Sequence, residues 1–415
     1  MALGLFWNEE RSLISVGNEQ SEIRQLYGRH YASGVPIRIT VREGRIDCVD
    51  EIEADGHAGV PGIGMEIWQL PWVGPGFVDL QINGYAGMDF NTLPIATQTT
   101  ASVTRALLKE GVTSCFPTVI TNSDMAITEA VGVIAQACEA DADIAAAVAG
   151  IHLEGPFISA EDGARGAHSR QHVCAPDWSK FQRWQEAAGG RIKIVTVSPE
   201  WPEAEDFIRR CTASGVLVSI GHTAATPEQI RRAVAAGAAM STHFGNGAHA
   251  VMPRHPNYLW EQLAADSLWT CLIADGFHLP DAVLKVAMKV KGEQALLVSD
   301  AVHFSGMPAG SYESHIGGKV VLTPQGRLQM ADQPHLLAGS VKMLLSGVHH
   351  LLSHGLCSLG EAWDMASVRP ALRMGLPVAA GLTVGAPADL LLVGQNGEAE
   401  LRIAGVYKNG ERVGP

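Results

Sequence analysis

The stretch Val148-Ala-Gly-Ile-His-Leu-Glu154-Gly-Pro156 is a short apolar run that ends directly in a carboxylate and a Gly-Pro turn. A short apolar run followed by a polar residue recurs in Leu217-Val-Ser-Ile-Gly-His222, Ala239-Met-Ser-Thr-His243 and Leu296-Leu-Val-Ser-Asp300. Continuous apolar runs of this length are typical of strands that a parallel sheet buries on both faces. Because the carboxyl ends of such strands meet at one edge, we expect the four polar residues to lie close together.

Eight runs of this kind are candidate strands: residues 73–80, 112–119, 148–153, 193–198, 216–220, 239–243, 270–275 and 295–299. Between them lie helical patterns such as those of residues 124–140, 202–213 and 226–236. Alternation of strand and helix predicts βαβ units, and eight such strands predict a closed (β/α)8 TIM barrel. The alternative is an open, doubly wound sheet, but no Gly-x-Gly-x-x-Gly motif opens a helix after a first strand.

The two ends of the chain have a different pattern from the middle. Residues 36–42 and 45–49 are short alternating segments broken by Gly and Asp, and residues 389–393 and 401–407 near the C-terminus are similar. Asn409-Gly410 is a hairpin turn signal. We therefore predict a small β-sandwich domain built from residues 1–72 and 380–415, beside a catalytic barrel over residues 73–379.

Composition limits the classes of function. The chain has 415 residues, 47% of them hydrophobic and 18% charged, which is enough apolar material for a large core. A net charge of −13 disfavours nucleic-acid binding. The seven cysteines form no close pairs and are typical of reduced thiols in a cytoplasmic protein. The first ten residues turn acidic too early to indicate a signal peptide, and no apolar run approaches membrane-spanning length, so we predict a soluble cytoplasmic enzyme for a small molecule.

Three of the strand-end residues have the side chains of a metal site. Glu154, His222 and His243 supply one carboxylate and two imidazoles, a set that binds zinc and related divalent ions with water completing the coordination. Asp300, from a fourth strand end, is then the candidate base for that water.

Further motifs in the same order complete a family pattern. These are Ile151-His-Leu-Glu-Gly-Pro156, Ile220-Gly-His-Thr223, Thr242-His-Phe-Gly-Asn246, Ala274-Asp-Gly-Phe-His278, Val298-Ser-Asp-Ala301 and Leu337-Ala-Gly-Ser340. Over roughly residues 73–390 the chain resembles the N-acetylglucosamine-6-phosphate deacetylase family of the amidohydrolase superfamily. The resemblance implies a (β/α)8 barrel beside a small β-sandwich. It also implies metal-dependent removal of the acetyl group from an amino-sugar 6-phosphate.

Strand one lacks the His-x-His pair that supplies a second metal in many barrel amidohydrolases. The chain has Gln81 and Asn83 at these positions, and neutral amides are poor ligands for a zinc-like ion. We therefore predict one divalent ion per chain, with zinc preferred and iron, manganese or cobalt as alternatives.

The resemblance also implies a set of substrate contacts. His168, in the loop after strand three, is a candidate contact to the substrate. Phosphate recognition is assigned to Asn246, Gly247, Ala248, Arg254 and His278, with glycine allowing close backbone approach and Arg254 a bidentate contact. In the family part of this group crosses a dimer interface, which implies a homodimer. The run Phe244-Gly-Asn-Gly-Ala-His249 departs from the family's usual Asn-Ala-Met.

Three alternatives remain open at this point. The substrate could be N-acetylgalactosamine 6-phosphate instead of the glucosamine epimer. The protein could be another amidohydrolase that acts on a different N-acyl or cyclic amide. It could also be a non-catalytic barrel, although a scaffold has no need of Glu154, both histidines and Asp300.

Overall fold

The computed structural model describes residues 15–16, 23–52, 67–314, 318–395 and 400–415. The start of the chain, on which the absence of a signal peptide was argued, lies outside these residues. Their strands are β1 (Ser15–Val16), β2 (Ile23–His30), β3 (Pro36–Arg42), β4 (Arg45–Glu51), β5 (Trp72–Pro75), β6 (Phe77–Ile82), β7 (Gly84–Tyr85), β8 (Met88–Asp89), β9 (Val112–Ile120), β10 (Ile151–Glu154), β11 (Ile192–Val197), β12 (Leu217–Ile220), β13 (Met240–Ser241), β14 (Trp269–Leu272), β15 (Ala295–Leu297), β16 (Gly310–Ser314), β17 (Gly318–Leu322), β18 (Leu328–Met330), β19 (Leu390–Gln395), β20 (Leu401–Lys408) and β21 (Glu411–Arg412).

The α-helices lie mainly between the strands of the middle region. They are α1 (Thr97–Lys109), α2 (Asp124–Ala140), α3 (Ala142–Ala147), α4 (Trp178–Ala187), α5 (Ala204–Ala213), α6 (Pro227–Ala236), α7 (Tyr258–Ala264), α8 (Asp281–Lys291), α9 (Leu344–Ser353), α10 (Leu359–Ala366) and α11 (Val368–Met374). Within the described parts of the chain, no helix combines the length and apolar character needed to cross a bilayer.

Eight parallel strands form the central sheet, in the order β15-β14-β13-β12-β11-β10-β9-β6. A parallel bridge joins Ile82 of β6 to Ala301, which follows β15, so the sheet closes into a barrel. Its interior is filled by a cluster that includes Leu80, Phe116 and Ile194. A larger apolar cluster, which includes Val103, Ile127 and Phe207 from three helices, packs outside the strands.

Both ends of the chain contribute to a second sheet, ordered β21-β20-β19-β5-β2-β3-β4, with β1 paired to β2. Its own buried cluster includes Leu26, Ile39 and Leu390. The predicted turn at Asn409-Gly410 is present, since Tyr407 and Lys408 pair with Arg412 and Glu411. A TIM barrel beside a β-layer from both termini confirms the predicted fold class.

The strand predicted over residues 73–80 is in fact two strands. Residues Trp72–Pro75 pair with β19 and β2 of the terminal sheet, and the chain enters the barrel only at Phe77. The continuous apolar run does not reveal this break, because both strands are buried. The domain boundaries at 72/73 and 379/380 stay a prediction. Residues 73–75, which the first boundary assigns to the barrel, pair with strands of the terminal sheet.

Candidate active site

The four strand-end residues that the sequence singled out meet at the carboxyl end of the barrel. Glu154 is the last residue of β10, His222 and His243 lie two residues beyond β12 and β13, and Asp300 lies three residues beyond β15. His222, His243 and Asp300 all have positive φ angles, of 47°, 25° and 46°. Such angles are uncommon for residues other than glycine and concentrate at functional sites.

Glu154, His222 and His243, which we call the ligand cluster, have converging donor atoms. His243 Nε2 lies 2.9 Å from Glu154 Oε1 and 3.0 Å from His222 Nε2. His222 Nε2 lies 3.4 Å from Glu154 Oε1. Ligand atoms around an ion with bonds of about 2.0–2.2 Å stand roughly 3.0–3.5 Å apart, so these separations suit a divalent metal.

The orientation of His222 also fits metal binding. Its Nδ1–H donates to the carbonyl of Ala164 at 3.0 Å, which directs Nε2 toward the cluster, as is usual for a histidine that ligates a metal. Burial alone would lower the pKa of His243, but the hydrogen bond to Glu154 and its charge raise that pKa to about 9. The cluster therefore attracts positive charge, as a cation site must.

The two carboxylates of the site have opposite pKa shifts. Burial alone would raise the pKa of Glu154, but hydrogen bonds from His222 and His243 lower it well below its usual range. Burial, reinforced by the charge of Glu154, raises the pKa of Asp300 to about 7. A carboxylate held ionised suits a ligand, whereas a carboxyl that exchanges its proton near neutrality suits a general base.

Gln81 and Asn83 each donate a hydrogen bond to one of these carboxylates. Gln81 Nε2 donates to Glu154 Oε1 at 2.7 Å, and Asn83 Nδ2 donates to Asp300 Oδ1 at 2.8 Å. The amide N–H groups thus lie beside the two carboxylates that a second cation would otherwise contact.

His168 lies much closer to the ligand cluster than its place in a loop suggested. Its Nε2 is 3.2 Å from His222 Nε2, and its Nδ1 is 2.9 Å from Thr121 Oγ1. Burial, with the nearby charge of His222, lowers the pKa of His168 to about 3, so its imidazole is neutral. Glu154, His168 and His222 also form a group whose donor atoms all lie within 4.8 Å of one another.

The predicted phosphate-recognition residues divide into those that contact the ligand cluster and those that lie away from it. Asn246 and Gly247 pack against the cluster: Asn246 Nδ2 donates to the His243 carbonyl at 3.3 Å. A Cβ on Gly247, whose φ is 56°, would lie 2.5 Å from His222 Nδ1, so this approach requires glycine. Ala248 follows on the same loop and is partly buried. Arg254 is exposed, and among the described residues no hydrogen bond or ion pair joins it to the cluster.

His278 is held by Asp275, a residue of the Asp-Gly-x-His motif to which the sequence assigned no role. Asp275 Oδ2 accepts from His278 Nδ1 at 2.7 Å, and its Oδ1 accepts the backbone N–H groups of Phe277 and His278, each at 2.8 Å. The Asp-Gly-x-His spacing is the signal that could have identified this pair, because an Asp commonly accepts backbone N–H groups two and three residues later.

A layer of hydroxyl groups beneath the ligand cluster was also missed. Thr242 Oγ1 contacts Thr196 Oγ1 at 2.7 Å and Ser219 Oγ at 2.6 Å. His152 completes this layer, with Nδ1 donating to the Leu80 carbonyl and Nε2 at 2.8 Å from Thr196 Oγ1. His152 is thus a fully partnered core histidine, although it stands only two residues before Glu154.

Comparison with known proteins identifies the family to which the chain belongs. Residues 72–413 match the model of the amidohydrolase family. N-acetylglucosamine-6-phosphate deacetylase from Bacillus subtilis is 34% identical over 333 residues, which cover 79% of this chain and 82% of the relative. The chain belongs to the N-acetylglucosamine-6-phosphate deacetylase family of amidohydrolases. It is therefore a hydrolase that cleaves carbon–nitrogen bonds, in a metal-dependent family, as the sequence predicted.

Two other members of the family bear on structure and substrate. A Mycobacterium smegmatis N-acetyl-D-glucosamine-6-phosphate deacetylase mutant, solved in complex with N-acetyl-D-glucosamine-6-phosphate, superposes with a TM-score of 0.81 at 26% identity, covering 95% of this chain and all of that one. N-acetylgalactosamine-6-phosphate deacetylase from a Shewanella strain is 30% identical over 81% of this chain and 82% of its own length. The family thus includes relatives named for both sugar epimers.

Proposed function

We propose that the protein removes the acetyl group from N-acetylglucosamine 6-phosphate, giving acetate and the amino-sugar phosphate. The observation that carries this proposal is the convergence of Glu154, His222, His243 and Asp300 at the barrel mouth of a member of this family. A non-catalytic barrel would not need three strand-end residues with positive φ angles around one buried point.

The ligand cluster is the proposed site of one divalent ion, with zinc preferred and iron, manganese or cobalt as alternatives. Such an ion, when bound, lowers the pKa of water and polarises the amide carbonyl. Gln81 and Asn83 support a single ion, since their N–H groups donate to the two carboxylates and are not metal ligands.

The chain's own residues supply the proton transfers. Asp300 takes the proton of the attacking water and delivers it to the departing amine, which needs a group that both gains and loses a proton near neutral pH. Neutral His168, whose Nε2 lies beside the ligand cluster, is the proposed donor to the acetamide oxygen, where negative charge develops. Asn83 holds the Asp300 carboxyl in place through its hydrogen bond.

The loop after β13 is the proposed site for the sugar phosphate. Gly247 brings the backbone of this loop close to His222 of the ligand cluster, and Asn246, Ala248 and His278 are assigned to the same substrate site. Arg254 reaches the phosphate from its exposed position. The Asn257 side chain supports that position, because its Nδ2 donates to the carbonyls of Pro253 and Arg254 at 3.1 and 3.4 Å. A homodimer and a cytoplasmic location complete the proposal.

Acetate release from a panel of sugars tests the function. We expect N-acetylglucosamine 6-phosphate to have a higher kcat/KM than unphosphorylated N-acetylglucosamine, since the free sugar lacks the anionic group that the loop is proposed to bind. N-acetylgalactosamine 6-phosphate is the second candidate substrate, favoured by the departure at residues 244–249 and by the Shewanella relative. A higher kcat/KM on that epimer would assign the enzyme to it, and no acetate from any member of the panel would overturn the proposal.

Replacing Arg254 with Ala should separate phosphate recognition from chemistry. A charge-assisted contact contributes about 1.5–3 kcal/mol, so kcat/KM on the 6-phosphate should fall roughly ten- to a hundred-fold. The rate on the unphosphorylated sugar should barely change, because it offers Arg254 no partner. Arg231→Ala is the matched control, since Arg231 is an exposed arginine of α6 paired with Glu228 at 2.7 Å. Equal losses on both substrates would contradict the phosphate role.

A further inference from the structure

A second group of metal-ligating side chains lies outside the active site, where α8 meets α9. Asp281 is the first residue of α8, His350 lies in the last turn of α9, and His354 directly follows that helix. His350 Nε2 is 2.9 Å from Asp281 Oδ1, and His354 Nδ1 is 2.7 Å from Asp281 Oδ2. Two imidazole nitrogens from one helix therefore face both oxygens of a carboxylate from another.

We propose that Asp281, His350 and His354 bind a divalent transition-metal cation of the zinc type and so link α8 to α9. Imidazole and carboxylate are the ligands that such cations prefer. The spacing of four residues places both imidazoles on one face of the helix, and their ring centroids are 4.0 Å apart. Each of the three residues offers one ligand atom, and these three atoms lie within 4.8 Å of one another.

The separations allow an ion to enter with little movement. Donors around a tetrahedral ion with bonds of about 2.0–2.2 Å are roughly 3.3–3.6 Å apart, so the contacts of 2.9 and 2.7 Å would open by about 0.4–0.9 Å. The Asp281 and His354 side chains are 44% and 48% exposed and are free to make this adjustment. Solvent on that side supplies water for the remaining coordination positions.

His350 is the fixed member of the group. Its side chain is only 14% exposed, and a Cβ on Gly276 would lie 3.1 Å from its Cε1, so the ring packs directly on that backbone. Gly276 belongs to the loop in which Asp275 holds His278, and Asp281 begins α8 three residues after His278. A cation at this site would therefore hold this loop at two points, at Gly276 through His350 and at Asp281 directly. The same loop positions His278, a proposed substrate contact.

The competing interpretation is a hydrogen-bonded ion pair that joins the helices without a metal. Hydrogen bonds from His354 and His350 lower the pKa of Asp281, and they would stabilise the helix junction by themselves. The two interpretations differ in one measurable respect, which is the uptake of metal. That uptake does not depend on the substrate proposed for the active site.

Equilibrium dialysis of the metal-loaded enzyme against zinc, followed by elemental analysis, tests the proposal. We expect wild type to take up one divalent ion per chain more than either His354→Ala or Asp281→Asn. His354→Ala removes a half-exposed ligand, and Asp281→Asn removes the negative charge of the carboxylate ligand. Circular dichroism would verify that both variants fold. His335→Ala is the matched control, since this exposed histidine belongs to the loop after β18. It should bind as much zinc as wild type.

The thermal response should agree with the uptake. Zinc should raise the apparent Tm of wild type and of His335→Ala, because a cation that binds only the folded protein stabilises it, and this rise should be absent in His354→Ala. If wild type takes up no more zinc than His354→Ala and Asp281→Asn, the site is an ion pair only and the proposal is wrong.

Discussion

Replacing Asp300 with Asn is expected to leave the metal bound and to lower kcat by roughly 10²- to 10⁴-fold, the usual contribution of a positioned general acid or base. The side chain keeps its size and can still contact Asn83, but it loses the ability to accept a proton. Elemental analysis and kcat at saturating N-acetylglucosamine 6-phosphate measure the two effects separately. A near-normal kcat would show that Asp300 is not the base.

Asp79→Asn is the matched control for this variant. Asp79 is also a fully buried carboxyl of the barrel, and one of its oxygens accepts the backbone N–H groups of Gln81 and Ser299 at 3.3 and 3.2 Å. The amide oxygen of Asn can accept the same two bonds, so this variant should retain most of its activity. Equal losses in the two variants would instead point to damage to strand packing.

Replacing His222 or His243 with Ala should remove the metal and nearly all of the activity. Metal catalysis contributes several kcal/mol of transition-state stabilisation, so we expect kcat/KM to fall by roughly 10³-fold or more. Wild type should retain one divalent ion per chain after gel filtration in metal-free buffer, which strips exposed sites, and each variant should retain close to none. Two ions retained by His354→Ala, which lacks the site proposed between α8 and α9, would contradict the role assigned to Gln81 and Asn83.

His152→Asn distinguishes loss of a ligand from general damage to the barrel. His152 lies two residues before Glu154, and Asn can still donate to the Leu80 carbonyl, as Nδ1 of His152 does. We expect this variant to keep its ion. If it loses the metal as completely as His222→Ala does, the losses reflect disruption of the strand ends and not of the coordination.

The sequence predicted much of the fold and singled out the four strand-end residues that the structure brings together, because both follow from local patterns. Apolar runs ending in Glu154, His222, His243 and Asp300 indicate buried parallel strands, and parallel strands bring their carboxyl ends together whatever the details of packing. The helix predicted over residues 124–140 matches α2. The hairpin at Asn409-Gly410 was equally local, because its turn depends on two adjacent residues with positive φ angles.

Other features depend on contacts between residues far apart in the chain, and only the tertiary structure decided them. The break between β5 and β6 arises because Trp72–Pro75 pairs with a strand more than 300 residues away, which no local pattern encodes. The place of His168 beside His222, and the contacts of Gln81 and Asn83 with two different carboxylates, likewise required the closed barrel. The sequence by itself determined which residues can carry the chemistry, since side-chain chemistry and strand period are local properties. The tertiary structure decided which of them meet, because distances across the barrel depend on how all eight strands close.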